Sequence, residues 1–257
     1  MQRLNQGGWV VSLNPMENPK VRLLCFAYEG GSAECFSSWI PLLRSGVELL
    51  GVELPGHGCR ADEPPLCTLE EIIEGMISDA GDLLCKPLIV FGHGLGGILA
   101  YEWLSHLTQT GSPLPKRLVV SACQSPSDSQ VYFPKMSHLD DQDFFEDLVN
   151  DDCLSQRVLT APEEVADCLD SIRADYEIRE SYLCRHQTVL NIPVEVFAGS
   201  RDKIPLGNLL EWQQVVRQPV HVCVFKGGHC FVEEDKQSVL NHLNELCDEV
   251  IVTGAYA

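Results

Sequence analysis

The stretch at residues 88–102 constrains the fold more than any other part of this sequence. Residues 88–91 form a short apolar run with Ile and Val, which predicts a buried strand. A glycine cluster follows, and the chain then takes up the apolar spacing of a helix. Such a tight strand-to-helix turn, usually Gly-x-Ser-x-Gly, is a nucleophile elbow, which holds one side chain above the end of a parallel sheet. Here residues 92–96 read Gly-His-Gly-Leu-Gly, so Gly94 stands where the pattern has its serine.

Strand and helix patterns alternate on both sides of this turn. Apolar runs of strand length recur at crossover spacings, and amphipathic segments separate them. Such alternation predicts an α/β fold with a mostly parallel, doubly wound sheet. Besides the strand of the elbow, we predict strands at residues 21–27, 47–54, 117–123, 194–198 and 220–225.

The alternation stops between residues 124 and 187, where the sequence has helical segments and no convincing strand. About 60 residues is far more than one crossover between neighbouring strands requires. We therefore predict an α/β core formed by residues 1–123 and 188–257, with residues 124–187 inserted as a helical cap over the strand ends. The alternative is a pair of ordinary crossover helices joined by long loops.

The charge of the chain limits its partners. A formal net charge of -19 makes nucleic acid and anionic membrane surfaces poor partners for the molecule as a whole. Four basic residues could still form a local docking patch. No apolar run approaches the roughly 18 residues of a membrane span, and we expect no signal peptide. The basic residues are Lys20, Arg22, Lys116 and Arg117.

Twelve cysteines are scattered along the chain without a Cys-x-x-Cys pair. Many lie in apolar runs, and we expect them to be reduced thiols of a cytoplasmic protein. Because the ligand spacing of a zinc site is missing, we expect no metal. We expect no cofactor either.

Distinctive residues follow four of the predicted strands, at the end where open parallel sheets bind their ligands. They are the glycine loop at residues 28–32, the elbow at Gly94, Asp202 and His229. The order elbow, acid, histidine is the one that α/β-hydrolases use. We predict that His229 transfers protons, and that Asp202 accepts a hydrogen bond from its ring and stabilises the imidazolium. The alternatives are a structural histidine and an aspartate that serves a turn or a helix cap.

Backbone N–H groups beside Gly94 are the predicted stabilisers of an oxyanion. One belongs to Leu95, directly after the elbow position, and the other to the loop after the strand at residues 21–27, at Glu29. Glycine has no hydroxyl, so the route through a serine acyl-enzyme is closed at this position. His93 is not expected to replace the serine, because its side chain points elsewhere in the turn.

Five segments of the chain carry motifs that occur together in one enzyme family. Residues 26–33, Phe-Ala-Tyr-Glu-Gly-Gly-Ser-Ala, are similar to its loop Phe-Pro-Tyr-Ala-Gly-Gly-Ser-Ala. Residues 91–97 follow its Phe-Gly-His-Ser-Met-Gly-Ala with glycine for serine, and residues 227–231, Gly-Gly-His-Cys-Phe, follow its Gly-Gly-His-Phe-Phe. Segments 53–65 and 172–177 match as well. Together they resemble the type II thioesterases, α/β-hydrolases that serve polyketide and nonribosomal peptide synthetases.

The resemblance implies an α/β-hydrolase fold with a helical cap that shapes an acyl pocket. Such enzymes hydrolyse acyl groups from the phosphopantetheine thiol of an acyl (peptidyl) carrier protein, and we expect a monomer. Carrier proteins are commonly acidic, so the net charge of -19 requires local, apolar or basic docking contacts. Glu29 stands where the family has alanine. Its carboxylate would oppose an oxyanion or act as an extra acid or base.

Three interpretations of Gly94 remain open. In the first, glycine is an engineered replacement that traps a bound acyl form. In the second, it is natural, and His229 with Asp202 catalyses without a nucleophile, through water-mediated hydrolysis or through proton abstraction that leads to cyclisation or elimination. In the third, the protein is a non-catalytic scaffold that holds an acyl carrier, although such a protein has no chemical need for the pair.

Overall fold

A seven-stranded sheet forms the centre of the computed structural model, which describes residues 8–78, 80–128, 133–149, 153–184 and 188–254. Its strands are β1 (Val10–Ser12), β2 (Val21–Phe26), β3 (Val47–Val52), β4 (Leu88–His93), β5 (Arg117–Ser121), β6 (Val194–Gly199) and β7 (His221–Phe225). Their spatial order is β1-β3-β2-β4-β5-β6-β7. Only β1 runs antiparallel to its neighbour, so the predicted α/β fold with a mostly parallel sheet is confirmed.

Helices cover both faces of this sheet. The α-helices are α1 (Leu69–Ile77), α2 (Ala80–Leu84), α3 (Leu95–Gln109), α4 (Asp141–Leu148), α5 (Ser155–Thr160), α6 (Pro162–Asp167), α7 (Leu169–Ser181), α8 (Leu206–Leu209), α9 (Phe231–Glu234) and α10 (Lys236–Gly254). The 3₁₀ helices are Ala33–Leu42, Gly58–Arg60 and Leu210–Val215. Within the described ranges, no helix combines the length and the apolar character that crossing a membrane requires.

Strand β4 lies at the centre of the sheet and is buried along its whole length. Leu88 and Val90 join the apolar layer that contains residues of α3, whereas Ile89 and Phe91 join the layer that contains residues of α10. Because both faces are covered, both sets of alternating side chains must be apolar. This explains the continuous apolar run that precedes the elbow.

The order of the strands creates a crevice between the ends of β2 and β4. From β2 the chain moves to β3 on one side, and from β4 it moves to β5 on the other. Loops that leave neighbouring strands in opposite directions open a cleft, where α/β proteins bind their ligands. The glycine loop at residues 28–32 and the elbow therefore meet at this cleft.

Helices α4 to α7 lie between β5 and β6 in the sequence, and the described residues there form no strand. They have an apolar cluster of their own, which includes Phe144, Leu148, Ile172 and Tyr176. A separate cluster is what an inserted helical layer requires, since its helices must bury one face against each other. The boundaries of the cap, residues 124–187, stay a prediction.

We expect Gly96→Ala to destabilise the fold by about 2–3 kcal/mol, because overpacking against backbone is not relieved by side-chain movement. A Cβ on Gly96 would lie 2.3 Å from the carbonyl oxygen of Phe26 and 2.5 Å from that of Ala27. The matched control is Gly207→Ala, whose Cβ would meet nothing within 4 Å. Urea unfolding checks both variants, and equal stabilities would contradict the close approach of α3 to β2.

Candidate active site

At the elbow, a single residue separates β4 from α3. Strand β4 ends at His93 and α3 begins at Leu95, which leaves Gly94 in the turn with φ of 55° and ψ of -123°. Its N–H donates to the carbonyl of Ser121 at 3.0 Å, and its own carbonyl accepts from the N–H of Gly97 at 3.0 Å. Glycine adopts this positive φ without strain, whereas a residue with a Cβ is strained there.

Asp202 and His229 meet beyond the carboxyl ends of β6 and β7. The ring Nδ1 of His229 lies 3.2 and 3.1 Å from the two carboxylate oxygens of Asp202, and the side chains are only 8% and 2% exposed. Burial alone would raise the pKa of Asp202, but the hydrogen bond and the charge of His229 hold that pKa below its usual value. An ionised Asp202 keeps a proton on Nδ1, so Nε2 is the nitrogen that can accept another.

The two predicted oxyanion donors lie on either side of Gly94. Leu95 is the first residue of α3, so its N–H points out of the helix end without an intrahelical acceptor. The loop after β2 approaches from the other side, where a Cβ on Gly94 would lie 3.5 Å from the Cβ of Tyr28. The structure brings this loop and the elbow together, and the role of the Glu29 and Leu95 amides stays a prediction.

The side chain of Glu29 occupies the space that a residue larger than glycine would take at the elbow. Its Oε2 lies 2.8 Å from the position of a Cβ on Gly94. Its Oε1 accepts a hydrogen bond from Nη1 of Arg179 at 2.9 Å, in an ion pair whose side chains are 7% and 16% exposed. Arg179 lies on α7, so a helix of the predicted cap holds the carboxylate beside Gly94.

His93 is buried behind the site. Its ring packs 5.6 Å from the ring of His229, measured between centroids, and its Nδ1 lies 2.8 Å from Oγ of Ser121. Burial, followed by the charge of His229, lowers the pKa of His93 to about 3. His93 is therefore neutral across the physiological range.

A cavity of about 450 Å³ opens over Gly94, Glu29 and His229. Its wall combines residues of the sheet core with residues of the predicted cap. Phe133 packs edge-on against the ring of His229, with 4.8 Å between the centroids, and Tyr182 lines the wall nearby. The wall is of mixed character: Ile98, Phe133 and Leu183 offer apolar surface for an acyl chain, and charged residues, among them Glu29 and Arg179, face the same space.

Helix α7 is tied to the core by a buried carboxylate. Asp175 accepts a hydrogen bond from the N–H of Gly30 at 2.7 Å, and its Oδ2 lies 3.0 Å from Nε2 of His57. These contacts join α7 to the loops that follow β2 and β3. They hold the helix that carries Arg179 over the cleft.

The effect of His57→Gln on stability is expected to depend on pH. Burial alone would lower the pKa of His57, but Asp175, the carbonyl of Pro55 and the charge of Glu53 together raise it above its usual value. A raised pKa stabilises the folded state below the unfolded pKa of about 6.5, and the contribution is lost as pH rises through the folded-state pKa. Thermal unfolding should show the Tm difference from the unaltered chain shrinking as pH rises above about 6.5. A difference that grows with pH would contradict this account.

The predicted site residues Gly94, Glu29, Leu95, Asp202 and His229 all lie at the carboxyl edge of the sheet. Sequence reasoning missed Arg179, which belongs to no recognised motif. The sequence predicted a Glu29 carboxylate beside the oxyanion donors, but it gave no sign of the ion pair with Arg179 that holds this carboxylate. Asp175 falls within the matched segment 172–177, which signalled that this turn of α7 has a specific role.

Most of the chain is similar to proteins of one known family. Residues 21–247 match the family model "Thioesterase domain". Thioesterase PikA5 of Streptomyces venezuelae is 31% identical over 253 residues, which cover 97% of this chain and 88% of that protein. Gramicidin S biosynthesis protein GrsT of Aneurinibacillus migulanus is 27% identical over 91% of this chain and 92% of its own. The structure of the type II thioesterase BorB, from the borrelidin biosynthetic cluster, superposes with a TM-score of 0.85 at 25% identity, covering 93% of this chain and 97% of BorB.

Proposed function

The chain belongs to the thioesterase domain family, and from that premise we propose that it acts on acyl thioesters of a carrier protein in polyketide or nonribosomal peptide biosynthesis. The observation that carries the proposal is the His229–Asp202 pair at the floor of an acyl-sized cavity. Type II thioesterases of such pathways are among its relatives in sequence and structure. We infer that the phosphopantetheine arm of an acyl carrier protein delivers the substrate to this cavity.

The reaction that fits Gly94 is direct hydrolysis by water. Nε2 of His229 takes a proton from water as its oxygen forms a bond to the thioester carbon, and Asp202 stabilises the resulting imidazolium. The N–H groups of Leu95 and Glu29 stabilise the oxyanion. The tetrahedral intermediate then collapses, the C–S bond breaks, and the thiolate takes the proton back from His229. The products are a carboxylic acid and the free carrier thiol, with no acyl-enzyme.

Glu29 has a defined part in this reaction. Its carboxylate lies where a serine side chain would begin, and we assign to it the positioning of the attacking water through a hydrogen bond to Oε2. The guanidinium of Arg179 balances its charge at 2.9 Å. This pairing reduces the repulsion between the carboxylate and the developing oxyanion.

A scaffold that binds an acyl carrier without turnover is the second candidate. The observation that favours it is the same Glu29 carboxylate, which fills the nucleophile position and adds negative charge beside the oxyanion donors. The His229–Asp202 pair has no part in such a role, and for that reason we rank the enzyme first.

The deciding experiment incubates this chain with a panel of carrier-bound acyl thioesters and follows the acyl and carrier products by mass spectrometry. Hydrolysis is expected without any acylated form of the chain. Cyclised or eliminated products would show that the His229–Asp202 pair catalyses a reaction other than hydrolysis. Tight binding of the acyl carrier without turnover would overturn the enzyme and leave the scaffold.

The basic residues considered for docking lie away from the cavity mouth. Lys20 and Arg22 lie at the start of β2, and Lys116 and Arg117 at the start of β5, which is the opposite edge of the sheet. Arg22 pairs with Glu48 at 2.9 Å, and Arg117 with an acidic residue of β6 at 2.6 Å. We infer that the carrier docks instead at the rim of the cavity.

We expect Leu183→Glu to raise KM for an acyl carrier about tenfold while leaving kcat unchanged, because docking would take an unpaired carboxylate out of water and about 1.4 kcal/mol of that cost corresponds to tenfold. Leu183 lines the cavity and is 81% exposed, which makes it an apolar contact at the rim. Leu159→Glu, on α5 and 67% exposed, is the matched control. Equal KM values for the two variants would rule out docking at this rim.

We also propose that the reaction takes place in the cytoplasm. The twelve cysteines, all within the described residues, form no disulfide, which supports a reducing compartment.

A further inference from the structure

Behind the active site, a histidine and two cysteines from distant parts of the chain converge. The Nε2 atom of His93 and the Sγ atoms of Cys153 and Cys230 all lie within 4.8 Å of one another. Nε2 of His93 is 3.9 Å from Sγ of Cys153. His93 and Cys230 are buried, and Cys153 is partly buried. The mechanism proposed above uses none of these three side chains, so the cluster has to be explained separately.

We propose that His93, Cys153 and Cys230 bind a zinc ion through Nε2 and the two thiolates. Tetrahedral zinc, with bonds of about 2.0–2.3 Å, places neighbouring nitrogen and sulfur ligands about 3.5–3.8 Å apart. The 3.9 Å between Nε2 of His93 and Sγ of Cys153 is close to these values, and the other separations, up to 4.8 Å, need to contract by at most about 1 Å. Two thiolates and one imidazole form a donor set that binds zinc in preference to magnesium or calcium, which favour oxygen ligands.

The surroundings of His93 prepare it to be a ligand. Its Nδ1 lies 2.8 Å from Oγ of Ser121, which can accept a hydrogen bond from an N–H at that position. The other ring nitrogen, Nε2, lies 3.9 Å from Sγ of Cys153. A metal-binding histidine usually has such a partner on its other nitrogen.

The side chain of Tyr28 is a neighbour of His93 at this cluster. The Tyr28 ring also packs edge-on against His93, with 5.8 Å between centroids. A water molecule would be the fourth ligand of a tetrahedral zinc ion held by these three side chains.

A zinc ion here would connect three parts of the fold. His93 is the last residue of β4, Cys153 precedes α5, and Cys230 follows His229 directly. The ion would therefore tie the predicted cap to the core and hold the loop that carries His229. The inference goes beyond the proposed function and does not depend on it, since the ligands serve neither water attack nor oxyanion binding.

The test measures zinc on the folded, reduced chain. Protein is stripped with a chelator, dialysed against zinc chloride with a phosphine reductant, and analysed for metal content and Tm. We expect one tightly bound zinc per chain and a rise in Tm with zinc concentration. Cobalt chloride should produce the charge-transfer absorption of thiolate–Co²⁺ bonds. Phosphine keeps the thiols reduced, so a disulfide between the cysteines does not enter the measurement.

Variants distinguish this site from adventitious binding. Cys153→Ser and Cys230→Ser should lose the bound zinc and the Tm response, and Ser121→Ala should weaken zinc binding about 10–100-fold. Cys168→Ser, another partly buried cysteine of the cap region, is the matched control and should bind as the unaltered chain does. Cys153 is only partly buried, so its variant remains informative if Cys230→Ser does not fold. Absence of zinc from the unaltered chain, or full binding by Cys153→Ser, would overturn the proposal.

Discussion

Replacing His229 with alanine is expected to lower kcat for thioester hydrolysis by about 10²–10⁴-fold, the usual contribution of a positioned general base. In the proposed mechanism the His229 ring accepts the proton of water, and Asp202, 3.1 Å from its Nδ1, orients the ring. Binding of the acyl carrier should change little, because substrate contacts come mainly from the cavity wall. Steady-state kinetics on one carrier-bound acyl thioester measures both quantities.

The matched control for this variant is His221→Ala, at the exposed start of β7 on the other edge of the sheet. It should keep the activity of the unaltered chain. If His229→Ala hydrolyses the thioester at the same rate as this control, the His229–Asp202 pair is structural and the proposed mechanism is wrong.

The second large effect is expected from combining Gly94→Ser with Glu29→Ala. The Gly94→Ser substitution alone is destabilising for two reasons. The positive φ at the turn strains a residue with a Cβ, and this Cβ would lie 2.8 Å from Oε2 of Glu29. Backbone strain of this kind costs about 1–3 kcal/mol. Removing the carboxylate makes room for the hydroxyl beside His229. We therefore expect the double variant to hydrolyse thioesters on the order of 10²-fold faster than either single variant, below the ~10⁶ that a catalytic serine contributes in an evolved protease.

A control separates the two penalties of serine at the elbow. Gly111 also has positive φ, of 67°, but a Cβ there would meet nothing within 4 Å. Gly111→Ser therefore measures backbone strain alone. Urea unfolding should show a larger loss for Gly94→Ser than for Gly111→Ser, and the difference should disappear in the Glu29→Ala background.

Mass spectrometry of the double variant gives an independent reading. An acyl group attached at residue 94 would show that the serine route has been opened. If Gly94→Ser alone forms this intermediate and turns over as fast as the double variant, Glu29 does not block the nucleophile position, and the gain expected from removing its carboxylate is wrong.

Much of the scaffold could be predicted because its signals are local. The apolar run of β4, the glycine cluster at the elbow and the apolar periodicity of α3 restrict the backbone whatever else surrounds them. The same holds for the residues that end β6 and β7, since parallel strands bring their carboxyl ends to one edge. Asp202 and His229 could therefore be expected to lie together before any coordinate was known, although their catalytic roles stay predictions.

The contacts around these residues could not be predicted from the sequence. The absence of Cys-x-x-Cys spacing led to the expectation of no metal, yet the residues of the proposed zinc site include a pair 60 positions apart in the chain. Spacing rules describe ligands that share one loop or helix. Such rules do not apply to ligands that come from three separate segments of the chain.

The sequence by itself determined the family, the sheet, the elbow and the glycine within it, because these depend on short-range patterns of apolar residues and glycines. Only the tertiary structure decided what lies against that glycine. Asp175 and His57 hold α7 over the ends of β2 and β3, and Arg179 on that helix pairs with Glu29, 150 positions away in the chain. No local pattern encodes such a contact, because it exists only once the cap helices have packed onto the sheet.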